Sequence, residues 1–112
     1  MSLYNQVIGK NGEHLAESYL KSRGHKILER EFRTRVGEID LITLKNNEIH
    51  FIEVKTRTNS DFGRPAEAVT REKLKHMLNS AAVYLKMMEN VEGYLVSVDV
   101  MEIQMNYMEG VV

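Results

Sequence analysis

Asp40, Glu53 and Lys55 are the residues whose types and spacing are capable of chemistry. They fall inside residues 37–57, GEIDLITLKNNEIHFIEVKTR, where apolar runs at 39–44 and 49–54 flank Asn46-Asn47. Short β-rich runs around a two-residue polar break read as a hairpin. Asn tolerates the positive φ that tight hairpin turns need. With Asn46 and Asn47 as the loop, Lys45 faces Glu48, paired residue numbers sum to 93, and Asp40 stands opposite Glu53. Directly opposed side chains have Cβ atoms about 4.5–5.5 Å apart, and like charges placed so repel. Two acids among Ile, Leu, Phe and Val therefore need a compensating positive charge, which a divalent cation with oxygen ligands supplies. Period-two alternation puts Lys55 on the same strand face as Glu53. The competing reading is a charged sheet face in which Lys55, opposite Glu38, makes an ordinary cross-strand ion pair.

The elements that must position these groups are those of a small α/β domain. One hundred and twelve residues, 43% of them hydrophobic, make one domain spanning 1–112 with a modest core. There is no Cys, which excludes disulfides, thiolate zinc sites and a Cys nucleophile. The N-terminus has no basic-then-apolar signal region, and no apolar run approaches membrane-spanning length. A cytoplasmic protein with no membrane partner is the expectation. The net charge of −1 means that any nucleic-acid-binding patch must be local.

In chain order, residues 7–23 have helical periodicity, with Gly24 as the stop. Leu15, Ala16, Tyr19 and Leu20 form its apolar arc, and Glu13 lies at the margin of that arc, where it could reach a cleft. Residues 25–34 read as a strand whose Lys26, Arg30 and Arg33 suit an exposed sheet edge. The loop-like stretch TNSDFGRP follows the hairpin and contains Pro65, with AEAV as a short helical turn after it. Thr70 is placed to cap a helix over 71–89, with an apolar stripe of Leu74, Met77, Leu78, Ala81, Ala82 and Leu85. A last strand covers 94–103, and methionines concentrate in the final quarter, as in core gaps or adaptable partner surfaces. The order α-β-β-β-α-β implies an antiparallel meander followed by a parallel crossover, hence a mixed sheet flanked by helices.

Glu13, Asp40 and Glu53-Val54-Lys55 in this order resemble the core of the PD-(D/E)XK nuclease superfamily, with its restriction-endonuclease-like fold. Archaeal Holliday-junction resolvases look nearest within it. The longer pattern GEIDLI, FIEVKTR, FGRPAEAV and AAVYL is similar to the YraN family of small bacterial proteins. The resemblance runs from about residue 10 to residue 99.

It implies that Asp40 and Glu53 are metal-binding carboxylates for Mg²⁺ or Mn²⁺, with the Val54 backbone carbonyl and Glu13 completing the shell. Lys55 matches the catalytic lysine, which orients the attacking water and stabilises charge on the phosphate. Arg57, Arg64, Lys73 and Lys75 flank the site as candidate phosphate contacts. The implied activity is metal-dependent hydrolysis of phosphodiester bonds in DNA, including branched or repair intermediates. Symmetric junction cleavage would require a homodimer. Ile39 departs from the Pro of the superfamily name, and the second helix lacks the Gln of some branches, a place Lys73 could fill. The alternatives are a non-catalytic nucleic-acid-binding module of the same fold and a protein-interaction subunit.

Overall fold

The computed structural model describes residues 3–57 and 70–112, with side chains described from residue 10 onward. The elements are α1 (Leu3–Ser22), β1 (Lys26–Thr34), β2 (Gly37–Lys45), β3 (Glu48–Arg57), α2 (Arg71–Met87) and β4 (Leu95–Gln104). This is the expected α-β-β-β-α-β order. The expected loop, Pro65, the helical turn at 66–69 and the candidate phosphate contact Arg64 lie outside the described residues.

The four strands form one mixed sheet in the order β1-β2-β3-β4. β1 to β3 are an antiparallel meander, and β4 returns parallel to β3, from Glu48↔Leu95 to Arg57↔Gln104. The hairpin register is the one read from the sequence. Pairs run from Lys45↔Glu48 to Leu41↔Ile52, each summing to 93, and Asn46 takes φ 55° in the turn.

The helices cover opposite faces of the sheet. Ala16 and Leu20 of α1 pack on Leu41 and Ile52, with Val54 and Met101 beside them. Ala81, Tyr84 and Leu85 of α2 pack with Ile42, Ile49 and Phe51. Burial on both faces explains why β2 and β3 read as nearly continuous apolar runs rather than alternating ones. Among the described residues no helix is long and apolar enough to cross a membrane.

Several boundaries and faces differ from the periodicity reading. α1 starts at Leu3 rather than residue 7, since residues 3–6 carry no helix breaker. It stops where expected: Gly24 takes φ 93°, and the His25 N–H donates to the Leu20 carbonyl (2.9 Å) in a Schellman closure. Of the α1 arc only Ala16 and Leu20 are buried, while Leu15 and Tyr19 are more than half exposed. α2 ends at Met87, two residues early, and β4 runs 95–104 rather than 94–103.

The buried face of α2 is Met77, Ser80 and Ala81, rotated away from Leu74 and Leu78, which stay exposed. Hydrophobicity alone would not bury Ser80. Its hydroxyl pairs with Thr34 Oγ1 at 2.8 Å, and this polar contact seats the helix on the β1–β2 corner. A second polar cluster lies where α1 ends. There His50 bonds Asp99 (2.7 Å) and Glu48 (3.0 Å) while His25 bonds Thr43 (2.7 Å), which ties β3 to β4.

Candidate functional site

Asp40 sits at a break in the sheet. The β2–β3 ladder closes at Leu41↔Ile52, one position short of the expected Asp40–Glu53 pair. Instead the Asp40 carboxylate accepts the Val54 N–H (2.7 Å), taking the place of a ladder carbonyl. Side-chain alternation also fails here. Ile39 joins the α2-side cluster and Leu41 the α1-side cluster, although residues two apart in a regular strand share a face. On β1 the pairs step from Arg30↔Leu41 to Phe32↔Ile39, and Glu31 between them takes φ 47°. A left-handed backbone at a non-glycine residue costs about 1–2 kcal/mol, so the packing around Asp40 must hold it.

Glu53 and Lys55 share the α2 face of β3, as alternation requires. Glu53 is only 8% exposed. Lys73, in the first turn of α2, ion-pairs with Glu53 Oε1, while Glu53 Oε2 is buried without a hydrogen-bond partner. Burial presses the Lys73 ammonium down, but the adjacent Glu53 carboxylate more than reverses this and holds it above the ordinary lysine value. Lys55 follows Glu53 by two residues on the same face of β3, so two lysines and two carboxylates, Asp40 and Glu53, share this end of the sheet. Asp40 is raised above the ordinary carboxylate value by burial. The Val54 N–H opposes that shift, and the Glu53 and Glu38 carboxylates add to it.

Glu13 reaches Asp40 from the α1 side. Both line a cleft of about 120 Å³ with Lys10, His14 and Glu31. Burial, then the carboxylates of Asp40, Glu31 and Glu38, push Glu13 up to about 7, against the pull of Lys10. Burial leads that shift, so the Glu13 carboxyl lies in a poorly solvated cleft with other acids beside it.

Two contacts set the height of α1 over this cleft. Gly12 lies so close to β3 that an added Cβ would fall 1.8 Å from Thr56 Oγ1. Alanine gains about 1 kcal/mol over glycine in a helix interior, while overpacking of this kind costs about 1–3 kcal/mol. Gly12→Ala should therefore lower the melting temperature and displace Glu13, and a rise in melting temperature would mean that the helix has room there.

One turn on, Glu17 receives a two-pronged hydrogen bond from Arg30, from Nε (2.9 Å) and from a terminal nitrogen. Those bonds, despite some burial, hold Glu17 down at about 2. A lowered acid pKa stabilises the fold above the unfolded value near 4.5, and that stabilisation fades as pH falls toward 2. Arg30→Met should lower the melting temperature at pH 7, by less in high salt, and the gap from wild type should shrink between pH 4.5 and pH 2.5.

The other expected site residues are more dispersed. Arg57 pairs with Glu102 (3.2 Å), and Lys75 is exposed on α2. Glu38 pairs with Arg33 (3.5 Å), as β1 stands opposite it in the ladder. The alternative Lys55–Glu38 register pair is absent, because the β2–β3 pairing has already ended. Among the described residues no three His, Asp or Glu side chains are grouped to hold a metal ion between them. Sequence reasoning placed Lys73 at the site as a phosphate contact but missed its pairing with Glu53, and it missed the Glu17–Arg30 fork. The first rests on helix-to-sheet docking, which no spacing encodes. The second joins residues thirteen apart on different elements.

The model of uncharacterised protein family UPF0102 matches residues 12–103, which takes in α1 from Gly12 onward and the sheet up to the penultimate residue of β4. The chain belongs to that family. This bears out the likeness to the YraN proteins. Relatives include a UPF0102 protein of Clostridium novyi (strain NT), 52% identical over 82 residues, 73% of this chain and 68% of that protein. A UPF0102 protein of Caldanaerobacter subterraneus subsp. tengcongensis is 43% identical over 101 residues, 90% of this chain and 82% of its own length. One from Clostridium perfringens (strain 13 / Type A) is 43% identical over 103 residues, 92% and 84% of the two chains. All three carry the family description alone, so the function of this chain must be argued from its residues.

Proposed function

We propose that the protein is a metal-dependent nuclease of the PD-(D/E)XK type, hydrolysing phosphodiester bonds in DNA. The observation that carries this reading is the buried Glu53 carboxylate. One of its oxygens has no hydrogen bond, Asp40 is its neighbour, and Lys55 is two residues along the same face. An orphaned buried carboxylate oxygen costs folding free energy, and such groups persist where they are used. The donor set fits Mg²⁺ or Mn²⁺, which prefer hard oxygen ligands. Asp40, Glu53 and the Val54 carbonyl would hold the ion, with Glu13 completing the shell from the α1 side. When bound, the ion supplies Lewis acidity and a water of lowered pKa.

The chain's own groups do the remaining work. Lys55 neutralises charge developing on the phosphate and positions the attacking water. Its ammonium, beside two acids, is suited to electrostatic stabilisation rather than proton abstraction. Lys73, Lys75 and Arg57 would contact the phosphate backbone, and Arg64 is a further candidate from the sequence. Such contacts fix register without reading sequence, so substrate choice would rest on the shape of the nucleic acid. Two copies would be required for symmetric junction cleavage.

The deciding experiment incubates labelled duplex, flap and four-way-junction DNA with Mg²⁺, Mn²⁺ or EDTA. Cutting that needs the metal and disappears in Asp40→Ala and Lys55→Ala is the expected result. No cutting of any substrate by wild type would remove the enzymatic reading. The separation of Glu13, Asp40 and Glu53 favours a second reading, a nucleic-acid-binding module without turnover. In that case DNA would be retained, and retention would weaken on replacing Lys73 and Lys75.

A further inference from the structure

Glu53 and Lys73 form an unusual pair. The acid is nearly buried, while the side chain of Lys73 is 45% exposed. One Glu53 oxygen takes the ammonium and the other takes nothing. A buried ion pair is favourable only when further hydrogen bonds satisfy the remaining lone pairs. Here they are unsatisfied, so the carboxylate is held by a partner that neutralises it incompletely. A divalent ion arriving at Glu53 meets an ammonium already in contact with it, and the two cations repel.

We propose that Lys73 is a displaceable counter-ion, which holds Glu53 while the cation is absent and transfers to a substrate phosphate when a divalent ion takes its place. The inference rests on the reading of Asp40 and Glu53 as a cation site and adds an order of events to it. The local structure suits such a swing. The Lys73 backbone is fixed, because its N–H donates to the Thr70 side chain (3.1 Å) at the helix cap. Its ammonium rides on a four-carbon stem that reaches solvent, so it can leave Glu53 without moving α2.

The charges also follow this order. Lys73 pairs with Glu53 and Lys55 lies on the same strand face, against the carboxylates of Asp40, Glu53 and Glu13. Adding a doubly charged cation to two ammonium groups and three carboxylates leaves a positive excess that a nucleic-acid phosphate then satisfies. Cation and nucleic acid would each tighten the binding of the other, since linkage is reciprocal.

The test measures Mn²⁺ binding by calorimetry and by thermal shift in wild type, Asp40→Asn, Lys73→Gln, Lys73→Arg and Lys86→Gln. Lys86 is exposed in the last turn of α2 and controls for the loss of one positive charge. Lys73→Gln should bind Mn²⁺ at least about fivefold more tightly, the lower end of ordinary coupling. Lys73→Arg and Lys86→Gln should stay near wild type, and Asp40→Asn should lose the site. In Mn²⁺, Lys73→Gln should also bind a short DNA duplex more weakly than Lys86→Gln does.

Wild type binding Mn²⁺ through Asp40, with Lys73→Gln equal or weaker, would overturn the counter-ion role and leave the cation site standing. Absence of Mn²⁺ binding in both wild type and Lys73→Gln would overturn the cation site itself, and the counter-ion with it. Binding by Lys73→Gln alone would support the displacement, with Lys73 then outcompeting the ion in the native chain.

Discussion

On the proposed nuclease reading, Asp40→Asn should cut DNA about a thousandfold more slowly than wild type, the scale on which one group stabilising transition-state charge acts. It should nevertheless melt at the same temperature or higher when no metal is present. The two expectations separate the two tasks of this side chain. Asparagine keeps a carbonyl oxygen to accept the Val54 N–H, so the end of the β2–β3 ladder stays satisfied. What it loses is the charge. Burial and the Glu53 and Glu38 carboxylates make ionised Asp40 unfavourable in the cation-free protein. Because its folded pKa is raised, the ionised form costs stability that increases as pH rises from the unfolded value toward the folded one. Removing the charge relieves that cost at neutral pH. A loss of cleavage accompanied by a large fall in melting temperature would show instead that Asp40 is a structural residue, with no distinct chemical role.

Phe51→Ala should destabilise the fold by about 3–5 kcal/mol, the usual cost of emptying an aromatic site in a closed core. Phe51 is fully buried at the centre of the α2-side cluster, with its ring edge-on to Tyr84 at 6.0 Å. Small domains hold only about 5–15 kcal/mol in total, so this single change removes much of the reserve. For a chain of this size the melting temperature should drop by roughly 10–20 °C. Equilibrium urea unfolding followed by circular dichroism measures the loss. A cost under about 1 kcal/mol would mean that the core collapses to fill the site far more readily than close packing allows.

The hairpin was the most legible part of the molecule because its register depends on local chemistry. Asn46 accepts a left-handed backbone, the turn is two residues long, and every pair from Lys45↔Glu48 to Leu41↔Ile52 follows. Gly24 and Thr70 were legible for the same reason, since each acts on backbone groups within five residues of itself. Features that depend on tertiary docking were not legible. Ser80 is buried while Leu74 and Leu78 are exposed, because a hydroxyl on a neighbouring strand sets the rotation of α2. Glu31 takes a left-handed backbone where a regular strand was expected, and Asp40, opposite it, is left out of the ladder. The order of Glu13, Asp40, Glu53 and Lys55 in the chain marked where chemistry would lie. The resemblance put Lys73 beside the site as a phosphate contact, but its pairing with Glu53 was not legible, since that depends on where α2 lands on the sheet.

Asp40 and Glu53 are proposed to hold a divalent cation between them. The most direct test is a crystal grown in Mn²⁺, with anomalous scattering used to locate the metal. The expected result is one strong peak at coordinating distance, about 2.1 Å, from carboxylate oxygens of both residues, with the Lys73 ammonium withdrawn from Glu53. Density showing the Lys73–Glu53 pair intact and no anomalous peak between the two acids would contradict it.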